Sequence, residues 1–170
     1  MPLNVLSFLN GTAYSDAAQF MEACDPAKMN IKAFLNTLKY FEHGGNTGNE
    51  VYYIRNGGSR IASLQKHPGC SRGRGGTSSA SGAYQFTCGT WAALQLKLSL
   101  PDFSPASQDK AAVAKIHERG ALKFIEAGNI TAACAKLRNE WSSLPGGREP
   151  QGSINTVKQV FESFGGTVTA

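Results

Sequence analysis

The stretch from Asp25 to Gly45 constrains this chain more than any other. Ile31, Phe34, Leu35, Leu38 and Phe41 recur at helical spacing, which puts an apolar stripe along one face of a helix. Asp25 stands directly before Pro26. An aspartate there can cap the orphan N–H groups, and proline fits the first helical position. Gly44 and Gly45 supply the stop. Counting back from Glu42 at the same spacing gives Leu38, Leu35 and Ile31, so a carboxylate lies on the stripe that the helix buries. Desolvation, the negative end of the helix and the lack of a second acid before Glu50 all act in one direction. Its pKa should rise toward neutrality, the property a general acid needs near pH 7. The plainer reading is that Glu42 ends its helix and turns outward to pair with an Arg or Lys.

The rest of the chain breaks into short elements. Val51 to Arg55 and Ser59 to Ala62 are β-prone runs around Asn56-Gly57-Gly58, the pattern of a small hairpin. Pro68 to Gly82 is rich in Gly, Ser and Arg without apolar periodicity, which predicts a long mobile loop. Helical spacing returns over Ala83 to Leu98 and stops before Pro101. Ser104-Pro105 opens another helix that runs to Gly120. Shorter helices are predicted over Ala121 to Ala127, Ile130 to Trp141 and Ile154 to Phe164, and one over Asp16 to Cys24 within an extension of residues 1–29. Trp91 and Trp141 belong to apolar helical patterns and are expected in the core. Many helices with one hairpin make an α+β domain.

With 170 residues and 41% apolar composition, one domain with its own core is expected. The formal net charge is +5, which favours a polyanionic partner without choosing among nucleic acid, membrane surface and cell wall. The charge is unevenly placed. No Asp or Glu occurs between Glu50 and Asp102, while Arg55, Arg60, Lys66, Arg72, Arg74 and Lys97 fall in that interval. No apolar run approaches the roughly 18 residues needed to cross a bilayer, and the first basic residue is Lys28. Synthesis into the cytoplasm without self-directed export is expected. No motif of the known nucleic-acid modules is present. Cys24, Cys70, Cys88 and Cys134 form no metal-ligand pattern, so zinc is not expected. Free or only partly paired thiols are expected of a chain made in a reducing compartment.

Leu100 to Asp109, followed by Ile116-His117-Glu118-Arg119-Gly120-Ala121-Leu122, resembles the phage lambda lysozyme family in order and spacing. So do Ser81 to Phe86, Trp141 to Gly146 and Gly165 to Val168, and the likeness runs from about Asn30 to Val168. The resemblance implies a lysozyme-like catalytic domain over residues 30–170, mostly helical with the hairpin beside the cleft. The family ends the helix before its hairpin in an aromatic-x-Glu-Gly sequence whose Glu is the single essential acid. Here the matching residues are Tyr40-Phe41-Glu42-His43-Gly44, with His43 inserted before the glycines. A Gly-Tyr-Asp stretch of the family corresponds to Val51-Tyr52-Tyr53, so Tyr53 replaces a nearby Asp. His117, Glu118 and Arg119 match the family closely, though a helix-end ion pair explains them as well.

With a single acid, the implied chemistry is that of a lytic transglycosylase on peptidoglycan. Glu42 protonates the oxygen between N-acetylmuramic acid and N-acetylglucosamine, and the muramyl C6 hydroxyl attacks C1. A muramidase that uses water, or a wall-binding module without catalysis, are the alternatives. Tyr84 and Gln85, with Ser81 beside them, are expected to contact a sugar or the leaving oxygen, and Tyr52 and Tyr53 to stack on sugar rings. No metal or cofactor is required. The expected protein is a monomer whose partner is the peptidoglycan strand, with no nucleic acid and no stable membrane insertion. It should wait in the host cytoplasm until a separate pore protein releases it to the wall.

Overall fold

The computed structural model describes residues 25–169, so the helix expected over Asp16 to Cys24, and Cys24 itself, lie outside the described residues. Asp25 Oδ1 accepts from the Ala27 amide at 3.0 Å, and Pro26 takes the first turn. Helix α1 spans Pro26–Glu42, so it runs unbroken across the boundary placed at residue 30. Phe34, Leu38 and Ala33 are fully buried along it. Each such Phe or Leu contributes about 1.5–3 kcal/mol by leaving water. The helix stops where Gly44 and Gly45 take φ values of +60° and +98°, with the Gly45 amide closing on Tyr40 O at 2.8 Å.

Helices α2 (Cys88–Leu98), α3 (Pro105–Glu118), α4 (Leu122–Glu126), α5 (Ile130–Leu137) and α6 (Ile154–Ser163) follow. Four of them begin with side-chain caps, Thr87 before α2 among them. Ser104 precedes Pro105 and accepts from Ser107 N, Asn129 accepts from Ala132 N, and Ser153 accepts from Thr156 N. Helix α1 packs against α3, α4 and α6, and one contiguous core joins Phe34, Trp91, Phe103, Ile116, Ile130 and Phe161. Trp91 stands edge-on to Phe103 at 4.5 Å, and Trp141 donates from its indole to Tyr84 O at 3.0 Å. Both tryptophans are core residues, 2% and 3% exposed.

Three expectations need correction. No strand forms among the described residues. Asn49–Tyr53 is a 3-10 helix, and of the hairpin one isolated bridge is left, Ile54 with Arg60, while Arg55 bridges to Ser81 outside it. Two bridges are too few to build a sheet, so the turn is held by what packs on it. Second, α2 starts at Cys88 and not at Ala83. Gln85 has φ +50°, Ser81 and Phe86 exchange backbone hydrogen bonds at 3.0 Å, and Thr87 caps the helix that follows. A left-handed residue stops the helix from extending backward through it. Third, the loop from Pro68 to Gly82 is fastened in several places. A Cys70–Cys88 disulfide ties it to α2, Asn56 Oδ1 accepts from Thr77 N at 2.9 Å and Ser78 N at 3.2 Å, and Arg55 donates to Ser71 O at 2.6 Å. One pair is therefore bridged, while Cys134 is free and buried.

Candidate active site

Glu42 is the last residue of α1 and is mostly shielded from solvent. Its Oε1 accepts a 2.5 Å hydrogen bond from Ser143 Oγ. Burial holds the carboxyl above its ordinary range. The Ser143 bond favours the charged form and pulls it back, and the negative charge of Glu149 raises it further. The desolvation argued from periodicity is thus the largest cause. Both other partners come from the far end of the chain, where no helical spacing could reveal them.

Ser143 is held by the segment that follows α5. Leu144 beside it is fully buried, and the Ser143 carbonyl accepts from Gln151 N at 2.9 Å while Ser142 O accepts from Glu149 N at 3.1 Å. The Trp141–Tyr84 bond pins the same segment to the turn before α2. Glu149 itself is exposed and lies 3.8 Å from Arg148 Nε.

On the other side of Glu42, His43 caps α1 and points its Nε2 at two carbonyl oxygens, Gly82 O at 3.2 Å and Ala83 O at 3.1 Å. Two acceptors require a proton on that nitrogen. Burial pushes the ring's pKa down, against the pull of both carbonyls, so the ring favours the neutral Nε2–H form. The residue inserted before the glycines therefore fastens the acid's helix end to the Gly82 turn. Gly82 has φ +80°, and a Cβ there would stand 2.2 Å from Gln108 Oε1. Only glycine fits that approach.

Gln108 is fully buried and ties three segments together. Its Oε1 accepts from Ala83 N at 2.8 Å, and its Nε2 donates to Phe103 O at 2.7 Å and Tyr52 O at 3.2 Å. Beneath it, Asp109 Oδ1 accepts from Tyr84 at 2.6 Å and from Tyr52 at 2.9 Å, and Lys39 donates to the Tyr52 hydroxyl at 3.4 Å. Burial raises the Asp109 pKa, against both tyrosine bonds, and lowers that of Lys39. The phenols of Tyr52 and Tyr84 are both pushed well above their ordinary value, again by burial first.

That network corrects two of the expected sugar contacts. Tyr84 is 1% and Tyr52 5% exposed, with both hydroxyls turned to Asp109, so neither ring presents a face to a ligand. Ser81 is fully buried, and its hydroxyl donates to Ser79 O. Gln85 is partly exposed but spends its amide on Ile54 O at 3.2 Å and Gly82 O at 2.8 Å. Tyr53 is partly exposed, with the Arg60 guanidinium over its ring at 5.2 Å. No cluster of His, Cys, Asp or Glu among the described residues could hold a metal ion.

The solved structures that match define the class. Bacteriophage lambda lysozyme complexed with a chitohexasaccharide matches with a TM-score of 0.74 and 33% identity, over 83% of this chain and 97% of that one. A second structure, lysozyme from bacteriophage lambda, gives a TM-score of 0.73 at the same identity. The fold is lysozyme-like and mostly helical.

Sequence relatives carry the assignment further. The endolysin of Escherichia phage lambda is 36% identical over 145 residues, 81% of this chain and 92% of the relative. The endolysin of Escherichia phage P2 is 44% identical over 95 residues, 55% of this chain, and the match spans 58% of that relative's length. A family model described as Endolysin matches residues 32–168. The chain belongs to the endolysin family.

Proposed function

We propose that this protein is a lytic transglycosylase that cleaves the bond between N-acetylmuramic acid and N-acetylglucosamine in peptidoglycan, with Glu42 as its acid and base. Membership of the endolysin family and the lysozyme-like fold support the coarser part, a glycan-cleaving enzyme that acts on peptidoglycan in lysis. That the lambda structure is complexed with a chitohexasaccharide supports a glycan substrate.

The observation that supports Glu42 as the acid is its carboxyl, kept above its ordinary pKa by burial and bonded to Ser143. A protonated acid can give its proton to the leaving oxygen as the glycosidic bond breaks. The muramyl C6 hydroxyl then bonds to C1 and loses its proton to the Glu42 carboxylate. The products are a 1,6-anhydromuramyl end and a free C4 hydroxyl, and no water is consumed. An intramolecular nucleophile benefits from proximity, which replaces much of what a second carboxylate would do.

One observation favours hydrolysis. Glu149 is close enough for its charge to raise the Glu42 pKa, and two carboxylates are the usual equipment of a hydrolase. Its exposure and its place beside Arg148 suit a bystander better than a sheltered base. Mass spectrometry of wall fragments separates the readings. Wild type should give anhydro ends, Glu149→Gln the same ends, and Glu42→Gln a turnover lower by about 10²- to 10⁴-fold. Hydrated reducing ends that vanish in Glu149→Gln would establish hydrolysis instead. Release from the cytoplasm to the wall by a separate pore protein belongs to this proposal.

A further inference from the structure

Three of the six cations between Glu50 and Asp102 line one cavity. Arg55, Arg60 and Lys66, together with Ser63 and Gln65, line a space of about 290 Å³ that has no acidic residue in its wall. None of the three cations makes an ion pair with a described residue. Glu50 feels the charge of Arg60 but lies outside ion-pair distance among the described contacts.

Both arginines are already ordered. Arg55 Nη2 donates to Ser71 O at 2.6 Å, and Arg60 rests over the Tyr53 ring at 5.2 Å. A guanidinium held in place loses less freedom when it meets an anion than a free-swinging one. Like charges gathered without counter-charges repel one another, and an anion placed among them relieves that repulsion.

The cavity stands on the turn that anchors Glu42. The Ile54 carbonyl, next to Arg55, accepts from Gly82 N at 2.8 Å and from Gln85 Nε2 at 3.2 Å, and Gly82 O holds His43. A space near 300 Å³ is at the lower end for small ligands, enough for a short side group. An uncharged amino sugar gives three cations nothing to neutralise. The peptide stems on each muramyl lactyl group carry free carboxylates, and a guanidinium fork matches a carboxylate.

Resting on the peptidoglycan reading above, we infer that the Arg55–Arg60–Lys66 cavity is a subsite for a carboxylate of the peptide stems, so that the protein favours strands whose stem carboxylates are free over strands whose stems are amidated. The test compares purified peptidoglycan strands with the same strands after carbodiimide coupling to ammonia has turned the stem carboxylates into amides. The wild type should show a KM roughly three- to tenfold higher on the amidated strands. In the double variant Arg60→Gln/Lys66→Gln, that ratio should fall to about one. Both side chains are exposed, and an unchanged melting temperature checks the fold.

A ratio that persists in the double variant overturns the subsite, as does a wild type indifferent to amidation. A preference abolished by removing phosphate polymers from the wall, and not by amidation, assigns the cations to phosphate and also overturns it. If the wild type cleaves neither strand, the lytic reading itself falls, and the subsite with it.

Discussion

Ser143 and Glu42, 101 residues apart in the chain, share one hydrogen bond from hydroxyl to carboxylate. The bond favours the charged acid while burial favours the neutral one. Ser143→Ala removes the first effect and leaves the second, so the Glu42 pKa should rise further. Activity that needs the protonated acid is lost as pH rises through that pKa. The alkaline limb of the kcat profile should therefore move to higher pH in Ser143→Ala, as a pH series of wall-clearing rates would reveal. A shift to lower pH would contradict the assigned roles.

The same balance sets a stability prediction. The folded pKa of Glu42 lies above its ordinary value, so its contribution is favourable while protonated and is lost as pH rises through the folded pKa. Glu42→Gln keeps the shape and removes the desolvated charge. It should raise stability at neutral pH by about 1 kcal/mol, with the gain shrinking as pH falls through the raised folded pKa and gone once pH is below the ordinary Glu value. Thermal melts at pH 4 and pH 7 check the sign.

His43 works in the opposite sense. Its folded pKa is lowered by burial, so its neutral form contributes stability above the ordinary His pKa, and this is lost as pH falls through the folded value. His67 follows the same rule, with its Nε2 on Phe86 O at 2.9 Å. His43→Ala takes the His43 donor from the Ala83 carbonyl and leaves the Gly82 carbonyl to Gln85 alone. It should cost about 1–3 kcal/mol and flatten the melting temperature between pH 5 and pH 7. Because His43 only positions the neighbouring acid, kcat should fall more than KM rises.

The burial of Glu42 at its helix end was legible in the sequence because the helix is long, capped and periodic, so the Asp25 cap, the buried stripe and the glycine stop all agree. Its surroundings were not. Ser143, Glu149 and Gln108 reach the site through loops and tertiary contacts that leave no local period. The hairpin failed for a related reason, since β-prone Val51, Tyr52 and Tyr53 were drawn into a 3-10 turn. There Val51 and Tyr52 bury their side chains and Tyr52 meets Asp109. Tertiary packing outweighs strand propensity in so short a run. Tyr84 misled in the same way: an aromatic beside a glycine-rich loop resembles a ligand contact, but burial and a hydroxyl partner decide otherwise.

Tyr84 and Tyr52 therefore yield a prediction that separates support from contact. Tyr84→Phe removes one of the two donors to Asp109 Oδ1 and should cost about 1–3 kcal/mol. Tyr52→Phe should cost a similar amount and also free Lys39 from its partner. KM for glycan should stay within about twofold in either variant, because neither ring reaches the surface. A large rise in KM with an unchanged melting temperature would return these tyrosines to the substrate.

The Cys70–Cys88 bridge closes a loop of sequence separation 18 that carries Arg72 and Arg74. Cross-linking a loop of that length restricts the unfolded chain and is worth about 3 kcal/mol. Cys70→Ser/Cys88→Ser, or the wild type under reductant, should melt several degrees lower. Cys134, the free thiol among the described residues, does not complicate this reading. Cys134 is 2% exposed, and burial pushes its thiol up to about 12, so it holds almost no thiolate near neutrality. Alkylation of native protein at pH 8 should leave Cys134 unlabelled until denaturant is added, and peptide mapping reads this directly. Rapid native labelling of Cys134, or a melting temperature indifferent to reductant, would contradict the arrangement described for these cysteines.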